Sequence, residues 1–221
     1  MKAYRLNPHV RRRFTNLNIN MILIFINIFL FVLFSILIYS NAKFLDYIAL
    51  KPSNILSGKY LWTFLTSMFM HGGFFHIFAN MFSLFFIGGL IERILGPKRY
   101  LWFYLLSGLF AGLFFVLLSF IFSSDFNTYA VGASGALFGL IGFLMMITPN
   151  LPVYIMFIPI PIKMKYAAPG ILAVLWLISI AGNVPIGNTA HLGGLILGLI
   201  YGVYLRKKYK RKTQYISKFF S

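Results

Sequence analysis

Apolar residues along this chain run in stretches that approach the ~20 needed to cross a hydrocarbon core of ~30 Å. Short polar or basic segments separate them. The pattern predicts an all-α polytopic membrane protein, a six-transmembrane-helix bundle with spans at Met21–Ser40, Phe74–Ile91, Tyr100–Phe122, Ser134–Ile147, Tyr166–Gly182 and Thr189–Leu205. Residues 1–20 then form a basic tail, 21–205 the membrane domain and 206–221 a second basic tail. Leu151–Ile160 is apolar but too short to span, and Pro152 and Pro159 interrupt it, so it is expected at the membrane interface. The loop over residues 41–73 is long and rich in aromatic and methionine side chains near its end, which favours partial burial in the outer leaflet.

The fourth span is short. Ser134–Ile147 holds 14 residues, a rise of about 21 Å at 1.5 Å each, which leaves roughly 9 Å of a ~30 Å core uncrossed. Pro149 limits extension at one end, and the polar run Ser123-Ser124-Asp125-Phe126-Asn127-Thr128 precedes the other. Irregular backbone at membrane depth is tolerated where protein surrounds it or where it lines water. The pattern therefore predicts an aqueous pocket open to the outside, with Ser134 at its floor.

Composition agrees with a lipid environment: 60% of the residues are hydrophobic and 10% are charged, against roughly a quarter charged in soluble domains. The distribution of charge adds orientation. All 20 Lys and Arg except Lys43, Lys51 and Lys59 fall in the two tails, in the loop with Arg93, Lys98 and Arg99, or in the loop with Lys163 and Lys165. Six spans place all those segments on one side, which the positive-inside rule assigns to the cytoplasm, with both termini. The same clustering argues against a nucleic-acid partner, which would need a continuous basic face; anionic lipid is the partner expected at the basic tails. The apolar run after Arg11-Arg12-Arg13 resembles a signal peptide's start but is about 20 residues long without an evident small-residue cleavage pattern, so it reads as a retained helix. Cysteine is absent, which removes disulfides and thiolate chemistry. Usage of Ile, Phe, Asn and Lys is compatible with a prokaryotic plasma membrane.

Chemistry enters through polar groups inside the predicted spans. Gly132-Ala133-Ser134-Gly135 suits a tight loop entering a helix, whose free N–H groups carry partial positive charge suited to an oxyanion. A serine here also reads as a helix N-cap or a small packing residue. His191 lies near the start of the sixth span, and ionisable groups within spans are costly and usually functional. Gly194 and Gly198 share its helical face, and Gly135 and Gly139 form a second G-x-x-x-G, so helices four and six are expected to pack and to bring Ser134 to His191. A neutral imidazole there would act as general base to the serine. Neither Asp125 nor Glu92 is placed to complete a triad, so a dyad is expected. His76 and Asn80 share a helical face, with His71 just before; H-E-x-x-H is absent and no carboxylate is near, so oxyanion donors are preferred to a metal site, and no cofactor is expected.

Together these motifs resemble the rhomboid family of intramembrane proteases over about residues 60–205. The resemblance rests on H-x-x-x-x-H-x-x-x-N at His71, His76 and Asn80, on G-A-S-G at Gly132–Gly135, and on A-H-x-G-G-x-x-x-G from Ala190 to Gly198. It implies a rhomboid-like bundle with a Ser134/His191 dyad and an oxyanion hole of His76, Asn80 and the Ser134 N–H. It also implies cleavage of single-pass membrane proteins near the outer face, with small residues before the scissile bond and helix-breaking residues nearby. The run Gly88–Glu92 resembles the family's second-helix terminus, which makes Glu92 structural. Two positions depart from the family. Phe138 replaces a common tyrosine, so stacking on His191 is expected without a hydroxyl contact. Trp62-Thr63 replaces a common Trp-Arg, which alters loop anchoring rather than chemistry. A transporter would more naturally show paired carboxylates or symmetric broken helices, and a pseudoprotease need not keep the reacting groups.

Overall fold

A computed structural model describes residues 18–155, 160–182, 184 and 186–220. The N-terminal tail with His9 and its arginines lies outside the described residues, as does Pro159. Among the described residues, five helices are long and apolar enough to cross a membrane: α1 Ile19–Ser40, α2 Phe74–Leu95, α3 Pro97–Leu118, α5 Met164–Gly182 and α6 Asn188–Lys208. Between α3 and α5 lies a shorter apolar helix of 14 residues, α4 Ser134–Ile147.

The helix ends follow local chemistry. At the start of α1, the Asn18 side chain accepts from the Met21 N–H at 2.8 Å. The Glu92 carboxylate accepts from the N–H groups of Ile19 and Asn20 at 2.9 and 3.0 Å. A carboxylate from α2 thus satisfies donors that α1 cannot, and α1 begins two residues before the expected Met21. Helix α2 contains one π turn, Leu84–Gly88, and continues past Ile91 to Gly96, whose φ of +80° stops it. A π turn disrupts the regular i→i−4 ladder; here the Asn20 amide donates to the Leu84 carbonyl at 2.9 Å, while Tyr100 O–H donates to Asn20 Oδ1 at 2.6 Å. Residues from α1, α2 and α3 therefore meet in one buried polar network at the basic end of the molecule. Proline at the first position starts α3 three residues before the expected Tyr100. That helix ends at Leu118, short of Phe122.

Two elements were not anticipated. A small antiparallel hairpin pairs β1 Pro152–Val153 with β2 Ile162–Lys163, with Pro152 opposite Lys163 and Val153 opposite Ile162. The basic C-terminal segment continues α6 to Lys208 and then forms a further helix, α7 Lys210–Phe219, with Thr213 buried.

Helix α4 sits at the centre. Every residue from Gly135 to Leu144 is buried, and Leu140 and Phe143 are fully so. The expected packing of α4 on α6 is present, through a geometry finer than two facing glycine stripes. A methyl group at Gly194 would overlap the Gly135 carbonyl oxygen, and one at Gly198 would overlap that of Gly139. The side-chain positions of Gly135 and Gly139 point elsewhere, at Ala111 and Ser107 of α3. Small residues therefore let α4 approach two neighbours at backbone distance.

The loop over residues 41–73 packs on protein through short helices at Phe44–Ile48, Pro52–Leu56 and Thr63–Thr66, followed by a 3₁₀ turn at Ser67–Phe69. Met68 lies against Gly108 of α3, and Leu50 and Phe64 against Gly112. Leu50 also exchanges backbone hydrogen bonds with Ala130, at 3.1 and 2.8 Å. Outward, Leu61, Trp62 and Leu65 are exposed, and the Trp62 indole N–H donates to the Tyr47 carbonyl at 2.9 Å.

Candidate active site

Three chain segments converge at the start of α4. Gly132 has φ +114°, a region that L side chains rarely adopt. A Cβ there would also stand 2.8 Å from His76 Nε2. Its N–H donates to the Ser67 carbonyl at 2.8 Å, and the next N–H, of Ala133, points at His71 Nε2 from 3.4 Å. The loop over residues 41–73 thus holds the backbone that leads into Ser134. His71 is itself buried, with its ring edge-on to Phe31 of α1 and to His76.

Ser134 is the first residue of α4, and the cap position is Ala133, without a side-chain capping bond. The serine hydroxyl is therefore not used as an N-cap. Instead its Oγ lies 2.7 Å from His191 Nε2. Ser134 is half-buried, whereas His191 is 7% exposed. The Phe138 ring, one turn along α4, stacks on the imidazole at 4.6 Å between centroids and 20° between planes. The expected stacking is present with phenylalanine in that place. His191 Nδ1 has no hydrogen-bond partner among the described residues.

His76 is oriented by its other nitrogen. The Gly72 N–H donates to His76 Nδ1 at 3.2 Å, which in a neutral ring puts the proton on Nε2. That N–H faces Gly132, beside the serine. Asn80, one turn on and buried, donates one amide hydrogen to the His76 carbonyl at 2.8 Å; its Oδ1 is unpartnered. Among the described residues no group of three His, Cys, Asp or Glu is arranged to hold a metal.

Asp125 and Asp46 were given no role from the sequence, yet each bonds to a residue of the segments that lead into the site. Asp125 accepts from Thr189 Oγ1 at 2.9 Å, two residues before His191 on α6. Burial raises the Asp125 pKa above the ordinary carboxylate value and the Thr189 hydrogen bond partly offsets this. Asp46 accepts from the Tyr129 hydroxyl at 2.7 Å and the Asn54 amide at 2.9 Å, and these two bonds hold its pKa below the ordinary value. Burial and the Asp46 contact push the Tyr129 phenol up to about 12. The chain has only three acids, and that scarcity was the sequence signal available, though it does not name their distant partners.

A serine hydroxyl bonded to a buried imidazole at a helix start has the geometry in which a neutral imidazole can accept the hydroxyl proton. In comparison with known proteins, the Rhomboid domain model matches residues 58–208, and the chain belongs to the rhomboid family. It is similar to RHOMBOID-like protein 1 of Arabidopsis thaliana, 36% identical over 159 residues that are 70% of this chain and 37% of that protein. Similarity extends to Rhomboid protein 1, mitochondrial, of Saccharomyces cerevisiae, 26% identical over 180 residues, 78% of this chain and 49% of the relative. Inactive RHOMBOID-like protein 8 of Arabidopsis thaliana is 34% identical over 139 residues, 62% of this chain and 36% of the relative. The chain spans less than half the length of each. It is a multi-pass membrane protein.

Proposed function

We propose that this chain is an intramembrane serine endopeptidase that cleaves single-pass membrane proteins near the outer face, with Ser134 as nucleophile and His191 as general base. The observation that carries this reading is the 2.7 Å contact between Ser134 Oγ and His191 Nε2, with Phe138 stacked behind the imidazole. Family membership alone would not decide it, since one relative is named inactive.

In the proposed reaction, neutral His191 accepts the hydroxyl proton at Nε2 as Ser134 Oγ bonds to the scissile carbonyl carbon. The resulting oxyanion is met by the Ser134 N–H at the positive end of α4, by His76 Nε2–H and by the Asn80 amide. Collapse breaks the C–N bond, and His191 returns its proton to the leaving amine. Water then attacks the acyl ester, His191 takes the water proton, and Ser134 leaves with that proton restored.

Both ends of the chain lie on the cytoplasmic side of a cell membrane in this reading, α4 crosses as the fourth of six spans, and an outer water-filled cavity reaches Ser134. No metal or other cofactor enters the scheme. The test is cleavage of a panel of single-pass substrates, with small and helix-breaking residues near the outer face, by the purified chain in proteoliposomes. Cleavage by the parent and none by Ser134→Ala is the expected result. No cleavage of any substrate by the folded parent, or equal cleavage by both chains, would contradict the proposal.

A further inference from the structure

An open groove of about 720 Å³ runs between α3 and α6 from the basic end of the molecule. Its mouth carries Lys98 and Arg99, in the first turn of α3. Its wall on α3 includes Trp102, Leu106 and Leu113, which align on one helix face and are 64%, 54% and 44% exposed. Leu197 and Tyr201 of α6 form the other wall. From Lys98 to Leu113 the helix rises about 22 Å, more than the ~15 Å of hydrocarbon in one leaflet.

Among the described residues, the mouth has an excess of positive charge that no carboxylate balances. Arg99 lies near enough to Lys208, at the end of α6, for the two charges to repel. Cations in a helix's first turn add to its positive end instead of offsetting it. The chain has three acids: Glu92 is engaged with the N-terminus of α1, and Asp46 and Asp125 are bonded to groups near the far end. Among the described residues, no carboxylate pairs with Lys98 or Arg99.

We infer that this groove is a binding site for one anionic phospholipid, with the phosphate on Lys98 and Arg99 and an acyl chain lying between α3 and α6. Charge complementarity selects the headgroup. A second copy of this chain, or the helix of another protein, would leave the cations at the mouth unbalanced unless it brought its own acid.

The three tryptophans permit a direct test. A variant with Trp62→Phe and Trp176→Phe keeps Trp102 alone in the groove, and is reconstituted in phosphatidylcholine vesicles. Dibrominated phosphatidylglycerol or dibrominated phosphatidylcholine is added at equal mole fraction. Brominated phosphatidylglycerol is expected to quench Trp102 more strongly, and Lys98→Gln and Arg99→Gln each to lower that preference roughly fivefold. Lys98→Arg is expected to keep it. A variant retaining only Trp62, near the other end, is expected to show no preference, which separates the groove from general attraction to the basic tails. Equal quenching of Trp102 by both lipids, protection from both by a protein partner, or a preference that survives the double glutamine variant would overturn the proposal. Native mass spectrometry of the parent chain from mixed vesicles gives a second reading that needs no tryptophan substitution. One retained phosphatidylglycerol is expected, lost in the double glutamine variant; its absence from the parent would count against the site.

Discussion

At Gly132 two demands fall on one residue: a φ of +114° and a Cβ position 2.8 Å from His76 Nε2. Gly132→Ala is therefore expected to shift the loop that carries Ser134. A misplacement of about 1 Å can lower a rate on the order of 100-fold, to be checked by substrate turnover in proteoliposomes with helical content unchanged. Phe138 contributes through its face, so Phe138→Tyr should retain activity. Phe138→Ala removes a stacked pair worth about 0.5–1.5 kcal/mol and should lower both turnover and thermal midpoint. Asp46 and Asp125 have opposite pH signs. Asp46 sits below its ordinary value of 3.8, so its stabilisation is complete above that value and is lost as pH falls through the depressed pKa. Asp125 sits above its ordinary 3.8; its contribution is present below that value and is lost as pH rises through the raised pKa. Thermal midpoints across pH should then show Asp46→Asn losing most at neutral pH, and Asp125→Asn gaining there, with both differences shrinking in acid. The contact of Ser134 with His191 and the stacking of Phe138 were legible in the sequence, because a polar group in an apolar run needs a reason and a helical turn fixes its neighbour. The contacts of Asp46 with Tyr129 and of Asp125 with Thr189 were not, because they join segments 83 and 64 residues apart.

Among the elements, α4 and α6 share the closest approach. Gly194→Val and Gly198→Val would each drive a side chain into a backbone carbonyl of α4, at about 1–3 kcal/mol or more for overpacking. The expected outcome is a lower unfolding midpoint in detergent together with loss of turnover; a neutral Gly198→Val would mean that the helices do not meet there. Helix positions were readable from apolar runs, whereas helix ends were set by particular partners. The Glu92 carboxylate starts α1, and the π turn at Leu84–Gly88 gives Asn20 a carbonyl to hold. No periodicity announces either feature. The sequence pattern also left Pro152–Lys163 without secondary structure, since a hairpin of two residues per strand is shorter than any usable alternation.

At the scale of the molecule, the absence of cysteine makes topology accessible. Ser57→Cys and Gln214→Cys place single thiols at exposed positions on either side of α2 through α6. If α4 crosses with the other four, an impermeant maleimide labels the two from opposite faces of a sealed vesicle; labelling from the same face would remove α4 from the spans. The central claim is that Ser134 is activated by His191, and covalent labelling tests it most directly. A fluorophosphonate probe applied to the folded, detergent-solubilised chain is expected to leave one adduct, mapped by mass to Ser134, with labelling strongly reduced in His191→Ala. Absence of an adduct on the parent, or equal labelling of parent and His191→Ala, would contradict the account.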